Sequence, residues 1–461
     1  GGLSLKVADL KQIGNTVGNL IFLGGFVTWI GIGIAAYTLL GFNIQFSLLL
    51  GAILLVSGPT VVLPMLRQIK LKHSLSSILR WEGIIIDPIG ASLAVLIFEV
   101  IIAQKASDAI GMGVVVLTST LMSGFVIGMM AALIMIVVFK RQLIPDYLQE
   151  AFTFVMVVSA YAIGDLIQSE SGLLVVTIMG IVLANQRIVT IRHIVSFKEN
   201  ITILLLSSLF IILAARIELA DLMNALTWPT VLFLGLLIGV VRPVAVFVST
   251  YKSNLTIKEK AFLASLYPRG IVAAAVASLF SIRLTEAGFE YAHLLNPITF
   301  YTIIVTVFFY GLMGRPLVKL LGQQRNQQGV VLVGAHSWSR LLAQALEGVN
   351  ISTVLIDTNL ENILSAKEMG LTTKHGSILS RKMMDELEMS HYGKIVSLTP
   401  SDETNLLASI EYSHIFSGLN VFRLYPKDRK KDVFIKSQQG QFLCEKGVTA
   451  TYIETCITAG G

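Results

Sequence analysis

The sequence predicts a bundle of membrane-spanning α-helices followed by a water-soluble α/β domain, and three observations carry that reading. The 461 residues are 54% hydrophobic and only 14% charged, against roughly 25% charged in an ordinary soluble domain. A single soluble globule is excluded. Apolar runs long enough to cross about 30 Å of hydrocarbon recur ten times before residue 322. The composition then changes: residues 1–322 hold 36 charges, 21 Lys/Arg and 15 Asp/Glu, and all of the net charge of +6, whereas the remaining 139 residues hold 14 of each sign. The expected organisation is a membrane domain over 1–321, a linker over 322–327 and a cytoplasmic domain over 328–461.

The runs lie near 14–41, 46–66, 79–103, 109–139, 149–168, 172–190, 200–217, 227–250, 259–282 and 297–321, and are termed spans A to J. Several contain Gly, Pro or a charge, so they are members of a packed bundle rather than isolated lipid-facing helices. The loops alternate in charge. Segments on one side carry Lys6 and Lys11; Arg67, Lys70, Lys72 and Arg80; Lys140 and Arg141; Arg187, Arg192 and Lys198; Lys252, Lys258 and Lys260; and Arg315, Lys319 and Arg325. These 17 stand against three on the other side, Lys105, Arg216 and Arg283. The positive-inside rule then places both ends and the tail in the cytoplasm. Because the basic residues are distributed one loop at a time, and not gathered on one face with aromatics between them, a nucleic-acid partner is not expected. Cys444 and Cys456 have no CxxC spacing or His cluster, and read as free thiols in a reducing compartment.

An ionisable group at bilayer depth costs at least ~2.5 kcal/mol on insertion scales and is a functional candidate by default. Four stand out: Glu82 and Asp87 on span C, Arg242 on span H and Arg269 on span I. Span B is interrupted by Ser57-Gly58-Pro59-Thr60 and span I by Tyr267-Pro268-Arg269-Gly270. Such breaks free backbone carbonyls and helix ends near the midplane, as transporters built from inverted repeats use them. Spans A to C and H to J form matching triplets whose middle members are the broken ones. H follows A by seven spans, an odd offset, so the triplets enter from opposite sides. Asp165, Glu99 and Glu199 fall at span ends and are read as interfacial.

Glu82 and Asp87 lie five residues apart, about 140° out of alignment around a helix. Glu82 is expected to pair with Arg269 as a fixed ion pair, with Arg242 a further member of that structural set. Asp87 then has no cation of its own. A carboxyl out of water must take up a proton or a cation, so H+ compares with Na+ or K+ as a rival occupant of one side chain. Ser57, Thr60 and the carbonyls freed around Gly58 are the expected further oxygen ligands for a hard cation.

At these residues the chain resembles the monovalent cation:proton antiporters of the NhaP and NHE branch. Gly1-Gly2-Leu3-Ser4-Leu5 resembles the stretch after that family's second span, Ser57-Gly58-Pro59-Thr60 its unwound helix, Trp81-Glu82-Gly83-Ile84-Ile85-Ile86-Asp87-Pro88 its ion-binding helix, and Pro268-Arg269-Gly270 its second crossing helix. The likeness covers residues 1 to about 321, and its specificity comes from the motifs occurring in order. It implies an inverted-repeat antiporter fold of twelve or thirteen spans, with A, B, C, H, I and J as a core moving in an elevator-like manner against a dimerisation domain. The chain opens without an initiator Met, and the resemblance implies one or more further spans upstream. It also implies that Asp87 carries the exchanged ions, that Glu82 and Arg269 are the paired charges, that the protein is a homodimer in a prokaryotic inner membrane, and that transport needs no cofactor. The departures are Ile86-Asp87 where the family commonly has Asn-Asp, Ser57-Gly58-Pro59 where it often has Thr-Asp-Pro, and Gly83 where some branches have Ser. One carboxylate at the ion position favours electroneutral, one-for-one exchange.

In the tail, Gly329 to Gly334 reads as a strand, followed by a helix over about Ser339–Leu346. A second strand, Thr353–Ile356, ends at Asp357, 23 residues after Gly334, near the spacing of a ribose-binding acid. Lys394–Thr399, a helix opening at Ser401–Asn405 and Val421–Leu424 complete a parallel α/β pattern. The region from 328 to about 440 resembles the TrkA-N, or RCK, regulatory domain. Gly334-x-His336-x-x-Ser339 keeps one glycine of the three in the phosphate fingerprint, so two readings stay open: a site for a regulatory nucleotide, NAD(H) or ATP, through Gly334, His336, Ser339 and Asp357, or a docking and dimerising module. The basic run Lys427–Lys431 reads as a solvated loop.

The leading function is therefore a secondary Na+ or K+/H+ antiporter, not an enzyme. An RCK-regulated potassium channel or efflux system is the alternative, but a channel needs a TVGYG-like filter and Thr16-Val17-Gly18-Asn19 is the one partial match. A membrane-bound dehydrogenase is disfavoured by the damaged phosphate loop.

Overall fold

The computed structural model describes residues 1–69, 71–103, 109–168, 171–186, 188–189, 191–215, 219–323, 329–380, 383–384, 387, 392–416, 420–426, 440–444 and 448–458. Lys70, Lys105, Arg187, Arg216, Arg325, most of the 322–327 linker and the Lys427–Lys431 run lie outside the described residues. The chain divides into two compact units, Gly1–Gln324 and Arg325–Gly461.

In the first unit the apolar runs fold as helices. Span A is α1 (Val7–Leu40), long and apolar enough to cross a membrane, with π-helical turns at Leu20–Gly24 and Ala36–Leu40. It stops at Gly41, whose φ of 69° is a left-handed cap that glycine adopts at little cost. Asn43 then caps α2 (Ile44–Leu55), its Oδ1 accepting from the Phe46 N–H at 2.8 Å. After an extended Val56, α3 (Pro59–Ile69) begins on proline. Proline suits the first helical position but drives the residue before it out of helical conformation, so span B is two half-helices.

Span C is α4 (His73–Ala103), continuous through Pro88. Then come α5 (Ala109–Lys140), α6 (Gln149–Ile167), α7 (Ser171–Asn185), α8 (Arg192–Ala215) and a short α9 (Leu219–Ala225) that the apolar pattern does not predict. Span H is α10 (Trp228–Ser249), with a π-helical turn at Leu237–Val241 directly before Arg242-Pro243. Proline lacks the N–H that the preceding turn needs. Span I is broken like span B, into α11 (Ile257–Ala264) and α12 (Ile271–Glu286). A reciprocal Thr256–Glu259 capping box starts α11, and Pro268 ends any continuation. Span J is α13 (Ala292–Leu320).

Among the described residues six helices are long and apolar enough to cross a membrane, whereas Ile44–Leu55 and Ser171–Asn185 are shorter. Two hydrophobic clusters join spans A, B, C, H, I and J. One includes Ile32, Phe46, Ala94, Phe233, Phe280 and Leu295, and the other Leu20, Leu66, Ile78, Val246, Leu263 and Tyr310. Spans D to G contribute to a separate cluster around Met135, Ala160, Val175 and Ile194. The six spans expected to form the core thus pack together in two clusters that each of them enters.

The second unit is a six-stranded, all-parallel sheet in the order β3-β2-β1-β4-β5-β6, the doubly wound arrangement of dinucleotide folds. Its strands are β1 (Gly329–Val333), β2 (Thr353–Asp357), β3 (Thr373–His375), β4 (Tyr392–Ser397), β5 (Val421–Arg423) and β6 (Gln441–Phe442). Helices α14 (Ser337–Gly348), α15 (Leu360–Glu368), α16 (Asp402–Phe416) and α17 (Ala450–Thr458) accompany it. β1 is buried along its whole length, as a central parallel strand requires.

Candidate ion-binding site

The two interruptions meet. Ser57 and Arg269 form an isolated antiparallel bridge, and the Gly58 N–H donates to the Pro268 carbonyl at 3.1 Å. A Cβ placed on Gly58 would lie 2.2 Å from the Gly270 Cα, and one on Gly270 equally close to the Gly58 Cα. No side chain fits at this contact, so glycine on both strands is what lets the two backbones cross.

Helix α4 passes beside the crossing and carries both acids. Glu82 is buried and ion-paired, but with Arg242 and not with Arg269 as expected. Arg242 Nη1 donates to Glu82 Oε1 at 2.6 Å and Nη2 to Oε2 at 3.0 Å, and its Nε reaches the Leu263 carbonyl at 3.3 Å. This is a bidentate, fully buried pair, the form that gives a guanidinium and a carboxylate the most.

Arg269 is correspondingly turned elsewhere. Leu55 is the last residue of α2, and its carbonyl has no helical partner because the helix stops. Arg269 Nη1 donates to that carbonyl at 3.3 Å and the Tyr267 hydroxyl donates to it at 2.8 Å. The backbone N–H of Arg269 goes to Thr306 Oγ1 on α13 at 3.3 Å. The correction has a physical reason: an orphaned carbonyl in a dry interior needs donors, and Arg269 lies on the segment crossing that helix end. The Gly58 carbonyl is taken as well, accepting from the N–H groups of Val61 and Val62 at the start of α3. Tyr267 connects the two arginines. Its ring centroid lies 4.0 Å from the Arg242 guanidinium carbon and 4.4 Å from that of Arg269, within cation–π range.

Asp87 differs from Glu82 in every respect but burial. Among the described residues no salt bridge reaches it, and its Oδ1 is buried with no hydrogen-bond partner. Ser57 Oγ and Thr60 Oγ1, at the break of span B, are likewise buried without a partner. Ser57 faces α4: a Cβ on Gly83 would lie 3.3 Å from its Oγ, and Gly83 is one helical turn ahead of Asp87 on the same face. Ile86, where the related pattern has Asn, turns away and packs toward Gly25 of α1, where an added Cβ would meet it at 3.1 Å. Among the described residues no group of three or more His, Cys, Asp and Glu gathers anywhere. Of the side chains expected to hold the cation, one carboxylate oxygen and two hydroxyls are thus buried without hydrogen-bond partners.

Of the residues named from sequence, Ser57, Gly58, Pro268, Arg269 and Gly270 meet at the crossing, Pro59 starts α3, and Glu82 and Arg242 form the pair. Sequence reading missed Tyr267, although it stands in the quoted Tyr267-Pro268-Arg269-Gly270. The usable signal was a phenol between two intramembrane arginines, which must find an acceptor when buried.

In the second unit, Gly334 follows β1 with φ of 102°, a conformation that favours glycine. The Asp357 carboxylate at the end of β2 reaches back to this loop. Its Oδ2 accepts from the Ala335 N–H at 2.8 Å and from Asn362 Nδ2 at 3.0 Å, and its Oδ1 from the Asn359 N–H at 2.9 Å. Partial burial pushes this carboxyl upward, but the donors from Asn359, Ala335 and Asn362 outweigh burial and hold it below the usual carboxylate range. His336 directly precedes α14, with its ring at 3.4 Å from where a Gly334 Cβ would sit. Ser339 is fully buried and its Oγ has no partner. Gly334, His336 and Asp357 thus come together at the C-terminal ends of β1 and β2, the edge at which this class of fold takes ligands.

Comparison with known proteins agrees with both units. Residues 1–320 match the model of the sodium/hydrogen exchanger transmembrane family, and residues 330–437 that of the TrkA-N domain. The chain is 25% identical over 330 residues to a Na(+)/H(+) antiporter NhaH of Halobacillus dabanensis, covering 69% of this chain and 79% of that protein. It is 26% identical over 304 residues to a K(+)/H(+) antiporter NhaP of Alkalimonas amylolytica, covering 66% and 52%. Among solved structures it superposes on the sodium proton antiporter MjNhaP1 of Methanocaldococcus jannaschii with a TM-score of 0.62 at 22% identity, over 70% of this chain and 82% of that one. That likeness establishes the shared fold. With its crossed half-helices and with most of its length inside one family model, the chain belongs to the sodium/hydrogen exchanger family and carries a TrkA-N domain behind its membrane unit.

Proposed function

We propose that this integral membrane protein exchanges Na+ or K+ for H+ through alternate occupancy of Asp87. The single observation behind this reading is the set of buried oxygens without partners, Asp87 Oδ1, Ser57 Oγ and Thr60 Oγ1, on the broken span B and on the helix that passes beside it. A bare carboxylate in a dry interior is costly, so it holds either a proton or a cation. One side chain cannot hold both, and a site that opens to one side at a time then couples the two fluxes. Glu82 and Arg242 neutralise each other and keep their charge throughout. With one titrating carboxylate the exchange is one proton for one cation, and electroneutral.

The related proteins are described as exchanging Na+ in some cases and K+ in another, which supports the substrate class and leaves either cation as cargo. The excess of basic residues on one set of loops supports cytoplasmic ends in a prokaryotic inner membrane, and the family likeness supports a homodimer. The TrkA-N domain acts as a regulatory module, its candidate ligand a nucleotide such as NAD(H) or ATP at Gly334, His336, Ser339 and Asp357. No cofactor takes part in transport, and no enzymatic step is assigned. The channel alternative loses its one motif, because Thr16–Asn19 lies within α1 as helix, where the carbonyls face along the axis and cannot ring an ion.

The test is proton flux in vesicles holding the full chain, with Na+ and K+ titrated in turn. Asp87→Asn should abolish exchange of either cation, and exchange persisting in that variant would overturn the proposal.

A further inference from the structure

The Tyr267 hydroxyl and Arg269 together occupy the Leu55 carbonyl, and a carbonyl oxygen has two lone pairs to give. That oxygen ends the half-helix leading into Ser57. On the other flank of Ser57, the Gly58 N–H is fixed by Pro268, the residue after Tyr267. One short segment of span I therefore holds the chain on both sides of the Ser57 hydroxyl. The segment is itself located by the phenol ring, which lies against the guanidinium of Arg242, and Arg242 is locked by Glu82. A line of contacts runs from the buried ion pair, through an aromatic ring, to the backbone that presents Ser57 and Thr60.

We propose that Tyr267 is a positioning residue that sets cation choice: it withholds the Leu55 carbonyl from the ion and fixes the Ser57 and Thr60 hydroxyls as the neutral side-chain ligands, without itself touching the ion. This rests on the reading that Asp87, Ser57 and Thr60 hold the cation. Without the hydroxyl, the Leu55 carbonyl keeps only the longer Arg269 contact and turns one lone pair toward the site. An added hard oxygen raises the coordination number on offer, which favours the larger cation. The loosened Ser57 backbone weakens binding of either.

The experiment compares full-chain wild type, Tyr267→Phe, Arg269→Lys and Asp87→Asn in proteoliposomes, measuring KM and kcat for Na+ and for K+. Tyr267→Phe keeps the ring and removes the donor. It should raise the KM for Na+ by about fivefold, the usual weight of one hydrogen bond, move the Na+ to K+ KM ratio toward K+ by about threefold or more, and leave kcat within about twofold. Arg269→Lys keeps the charge but loses the planar fork and should move the ratio in the same direction, so it carries the test if the phenylalanine variant cannot be purified. A merely structural Tyr267 would lower the melting temperature with both KM values and their ratio unchanged, and that result overturns the inference. If Asp87→Asn still exchanges ions, the underlying site assignment is wrong instead; if it is inactive and the ratio in both other variants stays at the wild-type value, only the role of Tyr267 falls.

Discussion

Arg242 holds Glu82 with both terminal nitrogens, at 2.6 and 3.0 Å, across 160 positions of sequence. No salt bridge among the described residues reaches Asp87, five residues further along the same helix. Removing one member of a buried pair leaves an uncompensated charge and costs about 3–5 kcal/mol. Glu82→Gln and Arg242→Gln should therefore both lower thermal stability in detergent steeply. Asp87→Asn should leave the melting temperature at or above the wild-type value while exchange disappears. Equal destabilisation by all three would mean that Asp87 is a structural residue too.

The glycine contact makes a second expectation. A methyl group at Gly58 would sit 2.2 Å from the Gly270 Cα, so Gly58→Ala must push the crossing backbones apart. Overpacking of this kind costs about 1–3 kcal/mol, and here it also displaces Ser57. Gly58→Ala and Gly270→Ala should each reduce exchange by at least tenfold in flux assays, whereas Gly239→Ala, on a helix with open space at that position, should retain wild-type flux.

In the TrkA-N domain the sign of the pH effect at Asp357 follows from its depressed titration. The stabilisation is fully present above the ordinary carboxylate range, about pH 3.9, and is lost as pH falls through the lower folded value. Asp357→Asn should lower the stability of this domain near neutral pH and flatten its loss of stability on acidification below about pH 4. Domain-resolved hydrogen exchange on the full chain checks both, and a variant with the same acid profile as wild type would refute the assignment.

His336 stands where a dinucleotide fingerprint has its second glycine. His336→Gly removes that bulk and should raise affinity for NAD(H) or ATP by about tenfold, the equivalent of relieving ~1.4 kcal/mol of crowding. Calorimetry on the full chain measures it. Absence of heat from both wild type and variant, with either nucleotide, would favour a docking role for the domain.

Much of this architecture was legible in sequence because proline and glycine act locally. Gly58-Pro59 and the Pro268–Gly270 stretch each combine the two residues, so both breaks could be placed from sequence, whereas a lone proline does not suffice, since α4 runs on through Pro88. Asp87 could be singled out for a similar reason, since an acid in an apolar run has to be explained. The partner of Glu82 could not, because two arginines of equal burial compete for it and only the path of the Tyr267–Gly270 segment decides. That the Leu55 carbonyl is already occupied was hidden likewise, since it depends on a contact with Tyr267, 212 positions away. In the second unit the strands rich in Val, Ile and Leu were found, whereas β3 and β6, of three and two residues, are too short to show a period.

The crossing of Gly58 and Gly270, with bare backbone on either side and the Gly58 N–H held by the Pro268 carbonyl beside it, leaves no side chain to compress at its centre. On the proposal that Asp87 holds the cargo, its oxygens would be carried as a unit, and an ion released at one face of the membrane would leave the cradle that received it at the other. Such a carrier has no built-in forward gear: the gradients of acid and salt alone decide which way it runs.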